Sequence, residues 1–140
     1  MVEVENQYVV IELGQEKYAI RIHDVYEVIK MQTITELPNT VSFFEGVINL
    51  RGKIVPVISL RKRFGMEEAP VTKSTRIVVV NRDEEQVGIV VDGVTRVTTF
   101  TDIQPPPNDF SAVDVSYLSG IGHSEHGLIS LLNIPQILMG

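Results

Sequence analysis

His123 and His126, with Glu125 between them, are the only closely spaced pair of metal-binding imidazoles in the chain. On a helix, such a pair would present two ligands to a zinc ion from one face. Here it lies between Gly122 and Gly127, which suits a hairpin turn, and no third ligand is close in sequence, so a solvated turn is expected. His23, before Asp24, is expected to pack or cap. Cysteine is absent, which removes thiolate nucleophiles and Cys-based zinc sites. No GxSxG elbow, Walker A loop or GxGxxG run is present. Asp92-Gly93 reads as a turn dipeptide, and no second acid can be placed beside Asp92. Glu36, Glu67 and Glu68 read as loop or turn acids. These residues assemble no catalytic constellation, so neither an enzyme nor a metal or cofactor site is expected.

Residues 46–64, GVINLRGKIVPVISLRKRF, raise a different possibility. The run is apolar and β-branched, yet Asn49, Arg51 and Lys53 interrupt it. Gly46 and Gly52 can adopt positive φ or admit close backbone approach. The run therefore predicts a hairpin whose tip is Asn49-Leu50-Arg51-Gly52, with Arg51 displayed at the surface. Pro56 lacks an N–H, which predicts an edge or bulged position for strand 54–58. A fixed arginine beside exposed aliphatic side chains suits a protein–protein contact; pairing with a carboxylate across two subdomains would explain it equally well. Arg61-Lys62-Arg63 reads either as a solvated basic turn or as a dock for an acidic partner.

The elements that would position these residues are mostly strands. Val and Ile dominate the apolar content, which favours sheet. Residues 8–13 and 18–22 predict a hairpin, and 25–31 a further alternating strand. A loop around Pro38 precedes the 46–58 hairpin, and 61–68 predicts a short helical turn. The pattern then restarts with strands at 76–80, 87–91 and 94–100. Shifted by 69 residues, YAIRIHDVYEV (18–28) lies over VGIVVDGVTRV (87–97) without a gap. A Pro-rich loop, QPPPN (104–108), and a hairpin, GIGHSEHGLISLLNI (120–134), close the second copy. A short helix is predicted after Asn133, with Pro135 in its first turn. The repeat predicts an all-β chain of two tandem barrels of about five short strands each, SH3-like or OB-like in size and packed together, with short helical turns, over about 8–68 and 76–138; a single Greek-key barrel with unrelated halves is the alternative.

Composition bounds the function. The 140-residue chain has a formal net charge of −6, the opposite of a nucleic-acid footprint. The N-terminal MVEVENQ is unlike a secretory signal, and no apolar run approaches the ~20 residues needed to span a bilayer. A cytoplasmic protein with no membrane insertion and no nucleic-acid partner is expected. Hydrophobic residues make up 44% and the mean hydropathy is +0.13, rich enough to leave apolar surface for a partner.

GVINLRGKIVPVISLRKRF resembles the signature of the CheW family of bacterial chemotaxis coupling proteins. GIVVDGV (88–94) and YLSGIGHSEHGLISLLNI (117–134) resemble that family's second and third landmarks. The likeness runs from about Tyr8 to Leu138, so the whole chain reads as one CheW-like domain of the stand-alone kind. The resemblance implies two SH3-like barrels and no catalysis. It also implies an adaptor joining the cytoplasmic tip of methyl-accepting chemoreceptors to the regulatory domain of the CheA histidine kinase. The chain would thereby be recruited to membrane receptor arrays. Receptor binding in the family uses an apolar groove between the barrels and the NLRG region. That carries over to Val25 and Glu27, to Gly46, and to Asn49, Leu50, Arg51 and Gly52. The kinase contact uses mainly the second barrel, here Val87, Ile89, Val91, Val94 and Val97. Two alternatives stand beside this reading: a CheW-like adaptor of another chemosensory pathway, and a small β-barrel that binds an apolar ligand.

Overall fold

The computed structural model describes residues 7–38, 41–107, 114–125 and 127–139. Eleven strands and two short helices account for most of them. The strands are β1 (Gln7–Leu13), β2 (Glu16–Arg21), β3 (Val25–Lys30), β4 (Phe44–Leu50), β5 (Lys53–Ser59) and β6 (Arg76–Arg82). They continue with β7 (Glu85–Val91), β8 (Gly93–Thr99), β9 (Asp102–Gln104), β10 (Leu118–Ser124) and β11 (Gly127–Leu132). The helices are α1 (Leu60–Arg63) and α2 (Ile134–Leu138).

Local chemistry sets the helix starts. The Ser59 hydroxyl accepts from the Lys62 N–H at 3.2 Å and caps α1. Asn133 Oδ1 accepts from the Gln136 N–H at 3.2 Å and caps α2, with Pro135 in the first turn as the sequence predicts.

The strands form two sheets, of order β3-β6-β7-β5-β4 and β8-β1-β2-β11-β10-β9. The first belongs to a compact unit of one continuous segment, Val25–Gly93; the second belongs to a unit made of the chain up to Asp24 and from Val94 onward. This corrects the tandem division at 8–68 and 76–138. The repeat itself persists in the topology. A shift of 69 carries β1, β2 and β3 onto β6, β7 and β8. A shift of 74 carries β4, β5 and α1 onto β10, β11 and α2. Under this mapping the two strand orders coincide, with β9 as an addition. Each sheet, however, takes its first hairpin from one repeat and its other paired strands from the other repeat. The parallel pairing that closes the exchange is equivalent on both sides: Leu131 lies opposite Ala19, and Val57 opposite Gly88. Small residues at 19 and 88 admit the neighbouring strand; a Cβ on Gly88 would sit 2.8 Å from Ile77 Cγ2 and 3.3 Å from Val57 Cγ2.

Each unit has its own apolar core. In the continuous unit Ile48, Leu50, Val55, Val57, Ile77 and Val79 pack together. In the other, Tyr8, Val10, Ala19, Ile129 and Leu131 do so, with Phe100 edge-on to Tyr8 at 5.0 Å between ring centroids. Pro56 departs from expectation: β5 is interior, between β4 and β7. Its ladder with β7 runs only from Val57 to Ser59, so the missing N–H falls just before the pairing begins.

Candidate functional site

Leu50 pairs with Lys53 across the β4–β5 turn, leaving Arg51 and Gly52 as its two central residues. Both have positive φ, 51° and 85°, as a type I′ turn requires. This backbone is natural for Gly52 and uncommon for Arg51. Asn49 Oδ1 accepts from the Gly52 N–H at 2.8 Å and steadies the turn. The Arg51 guanidinium, 62% exposed, is held by Glu27 on β3: Nη1 donates to Oε2 at 3.4 Å and Nη2 donates to Oε1. Its pKa is raised by the hydrogen bond to Glu27, then by the neighbouring Tyr26. Both explanations for the arginine therefore hold in part. It is displayed, and it is paired, but with a carboxylate of its own unit.

Glu27 reaches this position through an irregularity in β3. Pairing with β6 slips between Val25 and Glu27, so that Val25 meets Val80 and Glu27 meets Val79. Such a bulge re-aims side chains. Tyr26 and Val28 face outward, 49% and 38% exposed, and Ile54 beyond the turn is 65% exposed. These three were not anticipated from the sequence; along β3 burial alternates residue by residue although hydropathy does not. A fixed cation with Tyr26 beside it, and exposed apolar side chains on β3 and β5, are a combination that suits recognition of an amphipathic segment.

Other expected contact residues belong to the scaffold. Leu50 is buried in the core. Gly46 is buried at φ 140°, where a Cβ would stand 2.2 Å from the Thr35 carbonyl oxygen. It lets Val47 and Thr35 exchange backbone hydrogen bonds at 2.9 Å each way. Val25 is half-buried. In the kinase set, Val87, Ile89 and Val91 are core residues at 6%, 0% and 0% exposure, so their side chains cannot contact a partner. That part of the set is corrected. β7 is interior to its sheet and buried along most of its length, so alternation there did not separate inside from outside. Val94 is half-buried, and Val97 is 51% exposed.

The basic triplet is engaged within its own unit. Arg61 forms a two-pronged pair with Asp92, Nε to Oδ1 at 2.9 Å and Nη2 to Oδ2 at 2.6 Å. That hydrogen-bonded carboxylate raises the Arg61 pKa. Lys62 Nζ lies 2.8 Å from Glu68 and 3.4 Å from Glu45, and Arg63 stacks over the Phe43 ring at 4.3 Å. Asp92, read from sequence as a turn residue, thus has a long-range partner. The hint was that it and Arg61 stand in two different landmark stretches.

His123 is exposed on β10, opposite Asp102 and Leu128; His126 and Asn108 lie outside the described residues. Among the described residues no three His, Cys, Asp or Glu side chains gather where a metal ion could be held. No helix among them is long and apolar enough to cross a membrane.

Two sheets, each with its own packed apolar cluster, and a displayed arginine turn suit a protein-interaction module. Residues 7–139 match the CheW-like domain family, and the chain belongs to it. It is 36% identical over 137 residues to the chemotaxis protein CheW of Klebsiella aerogenes, covering 96% of this chain and 82% of that one. It is also 36% identical to the CheW protein of Helicobacter pylori, covering 94% and 81%. The crystal structure of the scaffolding protein TtCheW from Thermoanaerobacter tengcongensis superposes with a TM-score of 0.88 at 35% identity, covering 99% of this chain and 91% of that one. The predominantly β architecture with short helices is the CheW fold, and the chain is a non-catalytic chemotaxis adaptor of CheW type.

Proposed function

We propose that this chain couples the cytoplasmic tip of methyl-accepting chemoreceptors to the regulatory domain of a CheA histidine kinase, and is recruited to receptor arrays through those partners. The receptor docks on the Arg51 turn and the outer face of β3. The kinase meets β8 where Val97 is exposed. The observation that carries the receptor half is the Arg51 guanidinium, fixed by Glu27 on a two-residue turn with Tyr26 beside it, while Val28 on β3 and Ile54 on β5 are exposed. Apolar contacts supply affinity for an amphipathic receptor helix, and the oriented fork supplies register.

The test is titration of the purified chain against a receptor cytoplasmic fragment and, separately, a kinase regulatory domain. Binding to both, with kinase activity responding to receptor only when the adaptor is present, is the expected result. Failure to bind either partner would refute the reading.

A further inference from the structure

The Arg61–Asp92 pair occupies a corner of unusual economy. Asp92 is the single residue between β7, in the five-stranded sheet, and β8, in the six-stranded sheet. Arg61 grips both its carboxylate oxygens, and its third nitrogen, Nη1, donates to the Glu67 carbonyl at 2.9 Å. One guanidinium thus ties helix α1, the segment after it, and the corner from which β8 departs. The side chains are only 20% and 31% exposed, and a fork-on-carboxylate bond is directional.

The repeat shows that the fold does not demand this tie. The equivalent corner, from β2 to β3, has His23 where Asp92 stands and Pro135 where Arg61 stands. That corner closes with a local pair instead, Arg21 to Asp24 at 3.2 Å, three residues apart. Of these two corners, the one leading into β8 carries the long-range, three-point clamp among the described residues.

We infer that Arg61 is a positioning residue for kinase engagement: it holds the Asp92 corner at which β7 ends and β8, the strand that carries exposed Val97, begins. The inference rests on the proposed kinase contact at β8. Arg61 itself, engaged with Asp92 and Glu67, is not required to touch the kinase.

The experiment uses the full chain with Arg61→Gln, Arg61→Lys and Asp92→Asn. Amide hydrogen exchange is followed along β8 and, as a reference, β3, and each variant is titrated against kinase regulatory domain and receptor fragment. In Arg61→Gln, β8 amides are expected to exchange about tenfold faster while β3 amides do not change. Kinase affinity should fall about tenfold, with receptor affinity held within about twofold. Asp92→Asn should behave like Arg61→Gln. Arg61→Lys should fall between, because lysine keeps the charge without the fork. Unchanged β8 exchange, or equal losses toward both partners with a lowered melting temperature, would overturn the inference. Wild-type protein that binds neither partner would refute the proposed function instead, and the exchange readout still judges the corner by itself.

Discussion

Arg51 and Glu27, 24 positions apart in sequence, meet through both carboxylate oxygens, and the arginine stays 62% exposed while doing so. An exposed pair of this kind is screened by solvent and adds little to stability. Arg51→Glu is therefore expected to melt within about 3 °C of wild type. Its affinity for receptor fragment should fall by at least about tenfold, because reversal removes one attraction and adds a repulsion. The double exchange Glu27→Arg with Arg51→Glu restores the pair but not the displayed cation, so binding should stay weak. Recovered binding in the double variant would show that the receptor needs the pair and not the position of the charge.

The two glycines of the same hairpin should respond differently to alanine. At Gly46 a Cβ would meet the Thr35 carbonyl oxygen at 2.2 Å and Ile34 Cγ2 at 2.9 Å, with φ at 140°. A loss of about 2–4 kcal/mol is expected, from backbone strain plus overpacking. Gly52 has φ 85° and open space around it, so only the left-handed backbone penalty of about 1 kcal/mol applies. Urea denaturation of both variants measures the difference. Equal midpoints would contradict the assignment of Gly46 to the scaffold.

Within the second repeat, burial separates core from contact. Ile89→Ala should cost about 2–5 kcal/mol, as loss of a fully buried aliphatic side chain does. Val97→Ser should stay within about 0.5 kcal/mol of wild type and weaken kinase binding. Calorimetry for stability and a kinase titration for binding distinguish the two. A Val97→Ser protein that binds kinase normally would remove β8 from the interface.

Alkaline pH offers a further check. Burial, and then the Glu16 carboxylate, raise the Tyr18 phenol above its ordinary pKa of 10.0. The Lys62 ammonium is raised above 10.5, first by its hydrogen bond to Glu68. A folded-state pKa above the unfolded value gives stability that is complete below the unfolded pKa and is lost as pH rises through the folded one. Melting temperature should therefore show no contribution from these groups' titration from pH 7 to about 9 and fall beyond about 10. Tyr18→Phe should flatten part of that fall. An identical alkaline limb in the variant would exclude Tyr18 as a cause.

What the sequence by itself determined is what depends on near neighbours. The hairpins at 7–21, 44–59 and 76–91, the Arg51-Gly52 turn and the caps at Ser59 and Asn133 each follow from residues a few positions apart. The 69-residue echo between the halves is also legible in the sequence, by comparison of two distant segments. The tertiary structure alone decided which hairpin completes which sheet. The β1–β2 and β6–β7 hairpins carry apolar residues at matching spacing, and Ala19 and Gly88 are both small enough for the parallel neighbour. Either hairpin could satisfy the same local rules in either sheet. It alone decided, too, that β7 would be buried along most of its length while Val97 on β8 stayed exposed, and that Arg61 and Asp92, 31 positions apart, would meet. Strand register, burial and ion pairs between distant segments are set when the whole chain packs, and periodicity within a strand carries no record of its partner.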